Sequence, residues 1–432
     1  MALAVALVCG SALAAGSIAS PAQAQRNQQA APKANYSKKF IAAYQPVDAL
    51  VKAGNVTEAK AQAAAVLAAV ETPDDRNAAG GLIFNIGSET DDSVMQRQGL
   101  DLMIASGRAE AAKVGQFNFT GYQLASQADD HEAARKYLEA AIAADYSFEG
   151  RMADGTARTF YADDMRAMMA ESYFEQGNFP AGLSYLQNMI TQRVEAGQQV
   201  QRDWITRGLA VAYQNDLTPQ AVEFSALFVH HYPSETSWAD AIAIQRNMID
   251  YDAHATLDLL RLAARTNAMR DTRTYVDYIE AADARRLPGE VKRLVDQGVA
   301  AGKLTTNDVY VAEVSQVANG RISADRAELP ALEREASAAS STAVTATAAG
   351  DAFLSYGEAA KAEAMYQIAL GKSGVDTARV LTRLGIAQAD QGKSAEAIET
   401  FGKIQGDRAA IARLWTLYAR QKAAPTTVAT TG

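Results

Sequence analysis

Apolar residues recur along this chain at intervals far too long for a strand and too regular for chance. They fall at Ala63, Leu100, Tyr137, Leu186, Phe224, Leu257, Leu294, Leu329, Tyr366 and Phe401. The steps between them are 37, 37, 49, 38, 33, 37, 35, 37 and 35, so one interval in nine is out of line. Turn signals separate the amphipathic stretches at Ala53-Gly54-Asn55, Gln176-Gly177-Asn178, Asn215-Asp216, Asn319-Gly320 and Gln391-Gly392. Glycine and asparagine accept the left-handed backbone that ends a helix, so each pair of stretches predicts a helix–turn–helix unit.

The positions around the large residues repeat as well. Near the C-terminus they are Leu381, Leu384, Gly385, Gly392, Ala397, Phe401 and Ile404. One interval earlier stand Ala349-Gly350, Gly357, Ala362, Tyr366 and Ala369. The set returns as Gly121, Ala133, Tyr137 and Ala140, and as Ala170, Gly177, Gly182, Leu186 and Met189. Trp204, Phe224 and Pro233 fill the early, late and closing places of another unit. A small residue in the first helix lets two backbones approach, and a large one in the second fills the space behind. This pattern resembles the tetratricopeptide repeat, a helix–turn–helix unit of about 34 residues. The resemblance covers residues 39–405 as about ten units. It implies an all-α fold, a right-handed superhelix (solenoid) of stacked hairpins, since one hairpin cannot bury its apolar face alone.

Ile411, Leu414, Leu417 and Tyr418 stand at helical spacing and predict a capping helix within 406–422 that closes the open end of the array. Residues 423–432 carry no periodicity and read as a disordered tail. The long interval places an insertion near 146–159, containing Phe148, Gly150, Gly155 and the charges Arg151, Asp154 and Arg158. It reads as a surface loop or as a loop that reaches a ligand.

The N-terminus has a different character. Residues 2–18 are almost wholly apolar and uncharged, and Pro21-Ala22-Gln23-Ala24 follows. Small residues at −3 and −1 predict a signal peptide over 1–24, cleaved after Ala24, and a periplasmic protein that begins at Gln25. The alternative is an uncleaved anchor over 2–20, since about 18 apolar residues can span a bilayer. Residues 25–38 read as a flexible linker.

Composition narrows the chemistry. The chain has 432 residues, 48% hydrophobic and 21% charged, which excludes disorder as a whole. Its one cysteine, Cys9, lies in the N-terminal segment, so disulfide frameworks and cysteine-based zinc sites are excluded. A net charge of −9 argues against nucleic acid as a partner. The four histidines, His131, His230, His231 and His254, include no pair at the i, i+4 spacing of a helical zinc site. His131 lies in an acidic helix-start cluster, and His230-His231 end a helix where a cation suits the dipole. Glu171-Ser172 matches the catalytic dipeptide of superhelical peptidoglycan-cleaving enzymes, but no Gly-Leu-Met-Gln-type segment follows. The carboxylate clamp of chaperone-binding tetratricopeptide domains needs Lys and Asn where this chain has Ala167, Glu171, Thr382 and Ile386.

No catalytic residue, metal site or cofactor is therefore expected. The resemblance implies a noncatalytic scaffold or adaptor of the bacterial cell envelope with a protein or peptide partner. A carbohydrate-binding accessory of cell-wall enzymes and a membrane-tethered spacer are the alternatives. Trp238, Tyr275 and Tyr310 precede Leu257, Leu294 and Leu329 by one constant offset, one per unit in the first turn of three first helices. They are the candidate binding residues, either lining a groove or, with a slip of one residue, packing between helices.

Overall fold

The computed structural model describes residues 34–152 and 154–423. The expected signal peptide, residues 25–33 of the expected linker and residues 424–432 of the expected tail lie outside these residues, while Lys38 and Ala423 belong to the first and last helices. The chain divides into two compact units, up to residue 192 and from residue 193 onward.

Unit 1 consists of four helical hairpins: α1 (Lys38–Lys52) with α2 (Val56–Ala68), α3 (Pro73–Glu89) with α4 (Ser93–Ala105), α5 (Ala111–Gln127) with α6 (His131–Ala143), and α7 (Ala162–Glu175) with α8 (Phe179–Glu195). Ser37, Thr72, Asp92 and Asp130 cap α1, α3, α4 and α6 by accepting a backbone N–H three residues on. The predicted turns at Gly54 and Gly177 are present, with φ of +80° and +76°.

The insertion is not an open loop. It forms an antiparallel hairpin of β1 (Phe148–Arg151) and β2 (Ala157–Phe160). Phe148 stacks on Phe160 at 4.9 Å and on Phe119 of α5 at 4.2 Å, so the insertion is packed into the unit by its aromatics.

Unit 2 holds α9 (Arg202–Gln214) with α10 (Thr218–His231), α11 (Glu235–Met248) with α12 (Ala253–Arg265), α13 (Thr272–Ala282) with α14 (Pro288–Ala300), the single long α15 (Val309–Ser337), α16 (Ala343–Ser355) with α17 (Ala359–Leu370), α18 (Thr377–Asp390) with α19 (Ser394–Gly402), and α20 (Ala409–Ala423).

The all-α repeat is built as the spacing implies. A Cβ placed on Gly121, Gly208, Gly350 or Gly385 would come within 2.3–2.7 Å of the ring of Tyr137, Phe224, Tyr366 or Phe401, in each case on the helix that follows. The small residue admits the ring, and the ring fills the gap between the two helices.

The predicted turn at Asn319-Gly320 is a correction, because α15 runs straight through it for 29 residues. Its buried residues Val311, Ala318, Leu329 and Ala336 are 7, 11 and 7 apart and so share one face of one continuous helix. That shared stripe outweighs the roughly 1 kcal/mol that a mid-helix glycine costs.

The end of unit 2 goes beyond the expected cap. α20 packs chiefly on α19, as a capping helix does, and also back on α10 and α12, while α18 packs on α12. Arg413 of α20 forms a two-pronged ion pair with Glu223 of α10, and Gln421 donates to the carbonyl of Val229 at 3.3 Å. The Trp415 indole donates to the carbonyl of Asp258 at 3.1 Å. Unit 2 therefore returns upon itself, with α10, α12, α14, α16, α18 and α20 meeting across the return.

Candidate functional site

The three candidate aromatics are not an exposed stripe. Trp238 is 4% exposed and Tyr275 6% exposed, each inside an apolar cluster, while Tyr310 is half-buried against the second of these. This corrects the groove-lining alternative for Trp238 and Tyr275: α11 and α13 turn those side chains into the core. Burial pushes the Tyr310 phenol up to about 12, with Glu280 and Asp277 adding to the effect.

What the return of unit 2 brings together is charge. His254, Asp258, Arg261 and Arg265 lie 4, 3 and 4 apart on α12, one stripe of a helix. Arg379, Arg383 and Asp390 form a matching stripe on α18. Arg383 reaches Asp258 at 3.2 Å and Asp351 of α16 at 2.5 Å. Asp258 also receives Arg261 at 3.1 Å and Arg408 at 2.7 Å. Arg261 then grips Glu290 of α14 with two bonds of 2.8 and 2.7 Å, and Arg265 grips Asp390 with two of 2.7 and 2.6 Å. The Tyr278 hydroxyl donates to Glu290 at 2.7 Å and that of Tyr366 to Asp351 at 2.8 Å.

These pairs set the protonation states. Burial alone would raise the Asp258 carboxyl, but Arg383, Arg261 and Arg408 outweigh it and hold it at about 2. Burial likewise opposes ionisation of Glu290, and Arg261 with the Tyr278 hydroxyl overrides it, again to about 2. Asp351 is held low against its burial, chiefly by Arg383. His254 is pushed down by burial and then by Arg379, Arg383 and Arg286. His230 and His231 do end α10, yet the expected cation there is disfavoured. Burial lowers both, helped by Arg420 and Arg413 at His230 and by His230 itself at His231.

Acid should therefore destabilise the protein in two stages. The three histidines bind protons more readily in the unfolded chain, so their contribution is complete above about pH 6.5 and is lost below it. The depressed carboxyls of Asp258 and Glu290 contribute fully above the ordinary carboxylate range and lose that contribution between about pH 4.5 and 2. Thermal unfolding measured from pH 8 to pH 3 should show a shallow fall below pH 7 and a steep one below pH 4.5. A melting temperature level from pH 7 to pH 5 would contradict the histidine assignment.

Beside the ion cluster lies a cavity of about 450 Å³, whose lining includes His254, Arg286, Arg379 and Asp351 together with Leu287, Val344 and Val380. It sits at the first turns of α12, α16 and α18 and at the entry to α14. Sequence reasoning passed over these residues because charges on an amphipathic helix normally face solvent; the signal was their helical spacing on a stripe of otherwise Leu-rich α12. Among the described residues no group of three or more His, Cys, Asp or Glu could hold a metal ion. No helix among them is long and apolar enough to cross a membrane.

A second, partly exposed cluster lies in unit 1. The Arg135 guanidinium sits 4.2 Å over the Tyr173 ring, and Tyr173 lies 6.3 Å from Tyr185; both tyrosines and Met168 pack against the same apolar cluster.

No protein-family model matches the chain, and no curated protein matches it. Among solved structures it is similar to a chain of the Naa15/Naa10 complex bound to HypK-THB, at 12% identity with a TM-score of 0.32. The similarity spans 86% of this chain and 64% of that one.

Proposed function

We propose that this protein is a noncatalytic binding scaffold for a protein or peptide, exported to the periplasmic side of a bacterial cell envelope. The observation that carries the reading is the all-α hairpin repeat of unit 1, with the Arg135–Tyr173–Tyr185 cluster half-exposed on it. Stacked hairpins offer extended faces, and tyrosine and arginine are the residue types that anchor protein interfaces. The buried acids Asp258, Glu290 and Asp351 of unit 2 support the noncatalytic part, since each is committed to an arginine within the fold. Export rests on the apolar run over 2–18 and the Pro-Ala-Gln-Ala site.

Affinity capture from an envelope extract with the full exported chain tests the reading. One partner should be retained by the native protein and lost with Tyr185→Ala, whose melting temperature should stay near that of the native chain. N-terminal sequencing of the exported protein should begin at Gln25, and an intact Ala2 in the membrane fraction would overturn the export reading.

A further inference from the structure

The cavity at the head of α12, α14, α16 and α18 has more hydrogen-bond donors than acceptors. Both oxygens of Asp351 are already engaged, Oδ1 by the Tyr366 hydroxyl and Oδ2 by Arg379 and Arg383. Asp376 caps α18 by accepting the Arg379 backbone N–H at 3.1 Å. On the donor side, the Arg379 Nε is buried without a partner. Arg286 is exposed at the rim, and no carboxylate among the described residues pairs with it. His254 Nδ1 lies 3.5 Å from Nη2 of Arg383. A guanidinium can only donate, so Nδ1 is the accepting nitrogen and a neutral ring carries its proton on Nε2, as a further donor.

The unpaired charge selects the ligand. The lining arginines are Arg286 and Arg379 and the lining carboxylates Asp351 and Asp376; Arg379 is paired with Asp351, so Arg286 is the lining arginine that no carboxylate among the described residues pairs. Behind them Arg383, Arg261 and Arg408 are shared among Asp258, Glu290 and Asp351, and Asp252 at the head of α12 lies 3.7 Å from Arg408. A monoanion pairs that one cation, Arg286, whereas a dianion would be left in excess against Asp351 and Asp376. The lining also has an apolar part: Leu287, Ala343, Val344, Ala348 and Val380. The volume lies in the range of small-molecule sites, roughly 300–1,000 Å³.

We infer that this cavity binds a small organic monocarboxylate, its head among Arg286, Arg379 and His254 and its short aliphatic tail along Val344, Ala348 and Val380. This site stands apart from the partner surface proposed for unit 1 and does not depend on it.

Titration calorimetry on the full chain with octanoate tests it, with octanol, octylamine and octyl phosphate as the other arms. Octanoate should bind at least tenfold more tightly than each of the three, since a charge-assisted hydrogen bond is worth about a factor of ten or more. Arg286→Ala removes an unpaired surface cation, so it should keep the melting temperature while weakening octanoate roughly tenfold. Val344→Asp, at a rim residue that is 77% exposed, should weaken it further by repulsion. Equal binding of octanol would show an apolar hollow only, and tighter octyl phosphate would show that more than one lining cation is free to bind. Either result overturns the inference, as does absence of octanoate binding at millimolar concentration.

Discussion

Arg383→Ala is expected to lower the stability of unit 2 by about 3–5 kcal/mol, the usual cost of removing one partner from a buried ion pair. Arg383 is fully buried and joins Asp258 on α12 to Asp351 on α16. Without it, Asp351 keeps only Arg379 and the Tyr366 hydroxyl, and Asp258 loses one of three cations. A unit of this size moves its melting temperature by about 2–4 °C per kcal/mol, so a drop of roughly 6–20 °C is expected in calorimetry. The effect should shrink below pH 4, where protonation removes the stranded carboxylate charges. A full-sized loss at pH 3 would mean that packing, rather than charge, makes this residue costly.

Trp415→Ala is expected to cost a similar amount, about 3–5 kcal/mol, by a different route. Its ring is fully buried, stacks on Phe401 at 6.0 Å, meets Tyr418 edge-on at 5.6 Å and lies under Arg265 at 5.4 Å. The substitution leaves a large cavity and also removes the donor to the Asp258 carbonyl. Chemical denaturation should show the lost stability at any pH between 5 and 8, in contrast to the pH-dependent cost at Arg383. A change under about 1 kcal/mol, the ordinary range of a surface substitution, would mean that α20 is not a core element.

The hairpins were legible because their signal is local. A glycine and an aromatic at matched positions of neighbouring helices, as at Gly385 and Phe401, report one contact within a single hairpin. The return of unit 2 was hidden because its contacts join positions far apart in the chain, as in Asp258 with Arg383 or Glu223 with Arg413. Periodicity carries no information about such pairs. α15 was misread for a related reason: Asn319-Gly320 is a turn signal by residue type, yet Val311 and Ala318 on one side share a face with Leu329 and Ala336 on the other. Trp238 and Tyr275 were found by register, and register places a residue on a helix without saying what that helix packs against. The cavity residues were missed because arginine and aspartate at helical spacing look the same on a solvated face as on a buried one. Only the arrival of α16, α18 and Arg408 decides between the two.

Hydrogen exchange on the native chain and on Trp415→Ala tests the return of unit 2 most directly. If α20 docks on α10 and α12, protection should fall at the amides of Phe224–His231 and Leu257–Arg265, far upstream of the substitution, as well as in α18 and α19. Loss confined to α18, α19 and α20, with α10 and α12 exchanging as in the native chain, would contradict it and restore an open array.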